Sequence, residues 1–405
     1  MSNINKNSEP QEGDNRFNGD IEPFRSQLRS ILLITGIFFL GFISRIILAP
    51  LMPTIESDLG ISHGRAGSLF FLISLGASIS TLGAGYVSSR IMHRGTIVFS
   101  AVAGGVVLIG ISFTRGLWEI SAGLFLMGMV GGLYIPSAIS TLTSIVSVKH
   151  WGKAFAIHEL APNVSFVVAP LLSMALLPWL AWQGILALLG GTGILLGFMY
   201  AAFGRGGRFP GEAPSFVSFR RLLANPTFWV MTFLMSLGVI STNGVYTMLP
   251  LYLVKERGMD PNWVNTLIGL SYVSCIGIAF LAGWATDRFG PKAVMGVVLL
   301  ITGILTVLLG AAPTSWLSII VFLQPMTACS FFPAGFAALS RIGSADTRNV
   351  TVSLSTPLAG NIGAGIIPAC LGAMGDAGFF GLGFVLAGSL IFTGFLITLY
   401  LKLPE

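Results

Sequence analysis

Twelve apolar runs, each close to twenty residues long, fix the class of fold before any motif is sought. They are Ile31–Pro53, Ala66–Val87, Thr96–Phe113, Trp118–Thr141, Ala154–Leu177, Gly184–Phe203, Thr227–Tyr252, Val264–Trp284, Ala293–Ala312, Trp316–Leu339, Val350–Leu371 and Phe379–Leu401. A helix needs about 20 mostly apolar residues to cross a hydrocarbon core roughly 30 Å thick. An open strand would leave backbone groups unpaired in lipid, and a membrane β-barrel would show short alternating segments, so each run reads as a spanning helix. Only 9% of the 405 residues are charged, against 54% hydrophobic, where a soluble chain carries about 25% charged residues. That excludes a soluble enzyme, a disordered regulator and a nucleic-acid binder. Cys275, Cys329 and Cys370 all lie inside apolar runs, so neither a disulfide framework nor a metal site follows, and no cofactor is expected.

Residues 1–27 are polar, acidic and asparagine-rich. They have no apolar core and no small-residue cleavage site, and read as a disordered tail rather than a signal peptide. The longest internal polar stretch, Gly204–Pro226, holds Arg205, Arg208, Arg220 and Arg221. It divides the runs six and six. The expected layout is therefore a bundle over 28–203, a linker over 204–226 and a second bundle over 227–405.

Lysine and arginine set the orientation. With the tail in the cytoplasm, the outer loops carry only Arg65, Arg115, Lys255 and Arg257 of the 22 basic residues. Arg45 sits within a span, and all the others fall on the cytoplasmic side. Such a bias places both termini, and the linker, in the cytoplasm. The expected location is the inner (plasma) membrane of a bacterium, with lipid as the surrounding partner.

The two halves repeat at an offset of 198. Gly85 and Arg90 match Gly283 and Arg288; Trp118, Asn163 and Pro170 match Trp316, Asn361 and Pro368. Ser62, an N-cap candidate, matches Asp260. The chain is thus a duplicated six-helix unit with both copies in one orientation. Parallel halves of this kind let two bundles rock about a central site, which is one architecture of secondary transport. No P-loop or other nucleotide motif appears, so a gradient rather than ATP must supply energy.

The segment Gly85-Tyr-Val-Ser-Ser-Arg90, followed by Arg94 and Gly95, resembles the loop motif between the second and third helices of the major facilitator superfamily. Gly283-Trp-Ala-Thr-Asp-Arg-Phe-Gly-Pro-Lys292 is a closer copy in the second half. The resemblance implies an all-α membrane fold of twelve helices in two pseudo-symmetric bundles, and transport by alternating access. It also implies a gating role for Gly85, Arg90, Arg94, Gly283, Asp287, Arg288 and Lys292, with glycine permitting close helix approach. Ser89 stands where the first-half acid is usual, which shifts the gate's charge contact toward Asp287. The structural alternative for these cations is plain topology.

Arg45 is the sharpest single signal. It lies about fourteen residues into the first run, or ~21 Å along a helix, where a guanidinium costs about 2.5–3.5 kcal/mol on the insertion scale. Two readings compete: an arginine facing a watery cavity, and one snorkelling to the outer surface. The first is preferred, and the planar fork of arginine then argues for an anionic solute. The segment Arg45-Ile-Ile-Leu-Ala-Pro-Leu-Met-Pro53 resembles the anion-binding arginine region of the organophosphate:phosphate antiporters and anion:cation symporters. The antiporters carry a second arginine where this chain has Asn243. One permanent charge suits a monoanion, such as a monocarboxylate or an acidic sugar. In the superfamily, the first, fourth, seventh and tenth helices line the cavity. That implies a substrate site of Arg45, Tyr134, Asn243, Tyr246 and Gln324, with Asn163 and Asn361 as further mid-membrane candidates. Interhelical hydrogen bonding is the alternative for both asparagines. Tyr272 and the phenylalanine-rich stretches read as packing.

Glu159, with His158 beside it, is the proton-carrier candidate in the fifth run. A carboxylate in a site of low dielectric can titrate near neutrality, and histidine titrates there without help. The alternative for Glu159 is an interfacial ion pair with Lys149, Lys153 or a loop arginine. As neighbours in sequence, the two side chains are expected to point to different sides of the helix. The leading functional expectation is a monomeric, proton-coupled symporter of a small organic anion. An efflux antiporter of drugs or metabolites and a transporter-like ligand sensor are the alternatives. The exporters resemble one another through a glycine-rich motif in the fifth helix, most of which Asn163-Val-Ser-Phe-Val-Val-Ala-Pro-Leu-Leu-Ser173 lacks. No clustered nucleophile or acid–base pair suggests an enzyme.

Overall fold

The computed structural model describes residues 24–211, 223–339 and 354–401, and every regular element among them is helical. The spanning helices are α1 (Phe24–Leu59), α2 and α3 (63–91 and 93–112), α4 (Leu117–Ile145), α5 (Trp151–Leu176), α6 (Trp182–Phe203), α7 (Pro226–Glu256), α8 (Pro261–Phe289), α9 (Pro291–Ala311), α10 (Thr314–Leu339), α11 (Leu354–Asp376) and α12 (Phe380–Tyr400). The helical stretch His63–Ser112 runs without an intervening loop but counts as two spans. Its 50 residues would reach ~75 Å, more than twice a bilayer core. Met92, at φ 63° and ψ 163°, breaks it. That conformation is essentially reserved for glycine and costs about 1–3 kcal/mol. The linker holds it in place: the N–H groups of His93 and Arg94 donate to the carbonyls of Phe209 (3.2 Å) and Gly207 (2.8 Å). Helix α8 is bent by 44° between Pro261–Cys275 and Phe280–Phe289.

Helix α1 begins at Phe24, so the last four residues of the expected tail, 24–27, are helical instead. The rest of that tail, Arg220 and Arg221 of the linker, and Arg341, Arg348 and Lys402 lie outside the described residues. Asn225 accepts the Thr227 N–H at 3.0 Å and caps α7, which starts at Pro226.

The repeat is visible in local chemistry. Ser62 accepts the Arg65 N–H (3.4 Å) and Asp260 the Trp263 N–H (2.9 Å), so both symmetry mates are N-caps. Arg94 and Lys292 form a further pair at the same offset. Arg94 donates to the carbonyls of Gly204 (2.6 Å) and Ala201 (2.8 Å), and Lys292 to that of Leu399 (3.1 Å). Each cation therefore caps the C-terminal end of its own bundle's sixth helix, where the helix dipole favours positive charge.

The face carrying the start of α1 and the end of α12 is called here the terminal face, and the opposite one the far face. The bundles meet at the far face. Gly67 of α2 abuts the Pro368 carbonyl of α11, and Gly372 abuts that of His63, approaches that leave no room for a Cβ. Ser62 Oγ and the Gly64 N–H both donate to Asp376 Oδ2, at 2.7 and 3.0 Å. Lys255 donates to Ser57 Oγ at 2.6 Å. Asp376 thus acts as a second N-cap for α2, supplied from the other bundle. Its symmetry position is Pro178, which cannot reciprocate.

Loss of such a cap costs about 1 kcal/mol, or roughly fivefold in an equilibrium. Asp376→Ala is expected to raise the far-open population by that factor. Spin labels at Arg65 and Asn262, in a cysteine-free background, would show it as growth of the longer of two distances. An unchanged distance distribution would deny the clasp any share in holding this state.

Candidate functional site

Arg45 stands near the middle of α1, fourteen residues or ~21 Å from the far-face end at Leu59. Its guanidinium lies against Gly131 of α4, where a Cβ would come within 3.5 Å of Nη2. The missing side chain at Gly131 makes the space that the arginine occupies. Around it is a cavity of about 50 Å³ bounded by Ser44, Ser100, Met127, Tyr134 and Gly193, room for a few waters. Ser44 and Ser100 spend their hydroxyl protons on the Leu40 (2.6 Å) and Val130 (2.8 Å) carbonyls. Among the described residues, the ion pairs are His63–Glu56 and His158–Glu159, and no acceptor lies within hydrogen-bonding distance of Arg45. A charge held in the membrane without a partner is a costly arrangement.

Tyr134 shares this cavity and ties it to the proton-carrier candidates. Its hydroxyl donates to the Ile34 carbonyl at 2.6 Å and meets His158 Nε2 at 3.2 Å. Phe38 stacks on the imidazole at 4.4 Å and on Tyr134 at 5.4 Å. His158 is 1% exposed. Contrary to expectation, its ring does not turn away from its neighbour: Nδ1 lies 3.3 Å from Glu159 Oε1. The carboxylate itself reaches open space, its side chain 63% exposed, and among the described residues no lysine or arginine pairs with it.

The other expected site residues are distributed differently. Tyr246 of α7 joins a ring cluster that crosses between the bundles. Phe166 of α5 stacks on Tyr272 of α8 at 4.6 Å and meets Tyr246 edge-on at 4.9 Å, with Phe42 of α1 behind it at 5.5 Å. Between this cluster and the terminal face, no hydrogen bond or ring contact joins α5 to α8 among the described residues. The Tyr246 hydroxyl is buried without a partner, as is Asn361 Oδ1. Both Asn243 and Asn361 sit in π-helical turns, Ile240–Gly244 and Asn361–Ile366, a feature frequent at functional sites. Asn243 Nδ2 donates to Thr242 Oγ1 at 3.3 Å. Gln324 is committed to the second bundle, its amide donating to the Ser241 carbonyl (2.7 Å) and Thr306 Oγ1 (3.3 Å). Asn163 donates to the Glu159 carbonyl of its own helix at 2.9 Å. Arg45 and Tyr134 therefore share one cavity, and Asn243, Tyr246 and Gln324 stand apart from it in the other half.

Among the described residues, the contacts of the loop-motif side chains stay within their own bundle. Arg90 donates to the Tyr86 hydroxyl at 3.3 Å, and Arg288 lies over the Trp284 ring at 5.5 Å. Asp287 is exposed and has no partner among the described residues. Among the described residues, a Cβ at Gly283 would meet nothing within 4 Å. Gly85 contributes its carbonyl to the Ser88 hydroxyl (3.1 Å).

A sequence profile described as Major Facilitator Superfamily matches residues 34–281 and 253–405. The 4-hydroxybenzoate transporter PcaK of Pseudomonas putida is 22% identical, over 89% of this chain and 87% of its own length. The cis,cis-muconate transport protein of Acinetobacter baylyi is 24% identical, over 87% and 88%. Among solved structures, a bacterial homologue of the human lysosomal transporter Spinster superposes with a TM-score of 0.80 at 16% identity, covering 94% of this chain and 97% of that one. With the profile matching both halves, the chain belongs to the Major Facilitator Superfamily, whose members are membrane transporters and not enzymes.

Proposed function

We propose that this protein is a secondary transporter that takes up a small organic monoanion together with a proton, with Arg45 holding the carboxylate. The observation that carries this reading is the unpaired guanidinium in mid-membrane: a fork with five donors and no protein acceptor favours a ligand that brings one. The relative named for 4-hydroxybenzoate transport supports a monocarboxylate, and the one named for muconate, a dicarboxylate, supports only the wider class of organic acids. Asn243, at the symmetry position of Arg45, adds no second charge, which favours one carboxylate over a dianionic ester. The terminal face, rich in Lys and Arg, is assigned to the cytoplasm of a bacterial inner membrane.

In this conformation the cavity beside Arg45 admits water but not a six-carbon acid, so capture moves the guanidinium away from Gly131. Alternating access supplies that movement. The far-face seam opens, the anion enters, and the aromatic cluster of Phe166, Tyr246 and Tyr272 separates the site from the far side when the seam closes. The Tyr246 hydroxyl and Asn361 carbonyl oxygen, buried and unpartnered among the described residues, are polar atoms of the second half that a ligand could use.

Proteoliposomes with an imposed inward pH gradient test the proposal. Labelled 4-hydroxybenzoate or a related monocarboxylate is expected to accumulate, while inorganic phosphate does not. Binding of these acids without flux would replace transport by sensing. Flux of a cation or neutral solute alone would end the anion assignment.

A further inference from the structure

On the outside of the first bundle, α3 and α6 leave a groove that transport does not use. It opens at the terminal face beside Met92 and Arg94 and runs past Phe99 to Val106, with Phe198 of α6 as its other wall. From Met92 to Val106 is ~21 Å of helix, against ~15 Å for one leaflet of a hydrocarbon core. The walls are apolar and open: Phe99 is 47% exposed and Phe198 59%. An acyl chain fits such walls anywhere on a membrane protein. What sets this groove apart is its head.

Arg208 closes the groove at the terminal face. The Arg94 N–H donates to the Gly207 carbonyl (2.8 Å), which brings the neighbouring Arg208 alongside Arg94. Among the described residues, the Arg94 guanidinium bonds only to carbonyls of the α6 end, and no carboxylate pairs with it. Arg208 is exposed and has no acceptor among the described residues. No carboxylate lines the groove among them. Two uncompensated cations thus stand at headgroup depth over a slot of acyl-chain length. Basic sites of this kind between spanning helices suit anionic lipid headgroups.

We propose that the α3–α6 groove holds one anionic glycerophospholipid, its phosphate on Arg208 with Arg94 behind it and one acyl chain along Phe99 and Phe198. The lipid would have a mechanical consequence. Arg208 belongs to the linker segment that braces the strained turn at Met92, so the headgroup ties that linker to the ends of α3 and α6.

The test is native mass spectrometry of wild type and Arg208→Gln, both purified from membranes mixed from phosphatidylethanolamine and phosphatidylglycerol. Wild type is expected to retain one phosphatidylglycerol in preference to phosphatidylethanolamine. Arg208→Gln is expected to retain it about fivefold less, one arginine's share of attraction to an anionic surface. Millimolar inorganic phosphate is expected not to displace it, because the acyl chain supplies the rest of the binding. Equal retention by the two proteins, equal retention of the two lipids, or displacement by phosphate would each overturn the assignment. Matching melting temperatures in pure phosphatidylethanolamine show that the variant is folded. A variant that fails this control is replaced by Arg208→Ala, expected to lose phosphatidylglycerol to the same degree, with Arg208→Lys as the charge-keeping control that retains it.

Discussion

Arg45→Ala is expected to raise the half-saturating concentration for a monocarboxylate by about 10- to 150-fold without lowering thermal stability. The two readouts belong together. A hydrogen bond to a charged group contributes about 1.5–3 kcal/mol, and each 1.4 kcal/mol is about tenfold in affinity. An arginine that is part of a structural ion pair behaves differently: removing it strands the partner and costs about 3–5 kcal/mol of stability. Among the described residues Arg45 has no partner to strand, so its removal relieves a desolvated charge, and the melting temperature should hold or rise. Arg45→Lys is expected to fall between wild type and alanine, since it keeps the charge and loses the planar fork. Unchanged uptake by Arg45→Ala would remove the arginine from the site. A large loss of stability would reassign it to the architecture.

The features legible in the sequence are those carried by local chemistry. Span positions follow from apolar length, and the duplication from landmarks such as Asn163 and Asn361 at one offset. The caps Ser62 and Asp260 were recognisable because a cap is satisfied within three residues of itself. What the sequence hid depends on contacts between distant segments. Asp376 lacks a counterpart in the first half, so the repeat could not point to its role across the bundle interface. Phe42, Phe166 and Tyr272 look like ordinary core residues until three helices bring them together with Tyr246. The motif cations gave the loop away, but not that Arg94 and Lys292 reach for helix ends. Gln324 and Asn163 read equally as ligand-binding or structural amides, and their hydrogen bonds here run to protein carbonyls. Arg45 itself was plain from its depth. Its neighbour Gly131 was not, because a glycine that creates a vacancy resembles one that permits close packing.

The proposed proton coupling, if it runs through His158 and Glu159, yields the other large effect. The Ile34 carbonyl can only accept, so the Tyr134 hydroxyl donates to it. The hydroxyl oxygen then accepts from His158 Nε2–H. That leaves Nδ1 facing Glu159 Oε1 at 3.3 Å, a contact that is repulsive unless a proton lies between the two atoms. On the proposed coupling, the proton carried with the anion is the one placed between these two atoms. Phe38 and Tyr134 complete the surroundings of the ring, and Arg45 is the charge on the cavity that Tyr134 shares. One proton moving with one monoanion is electroneutral, so a gradient of one pH unit should accumulate the anion about tenfold, with no response to membrane potential. Glu159→Gln supplies a permanent donor to Nδ1 and mimics the loaded state. It is expected to exchange labelled for unlabelled anion normally while its accumulation ratio falls to about one. The second pair, His63 and Glu56 at 2.6 Å near the far face, provides the control, and Glu56→Gln should keep full accumulation. If Glu56→Gln uncouples the carrier and Glu159→Gln does not, the proton travels at the far-face gate, and the buried histidine serves only to hold Tyr134.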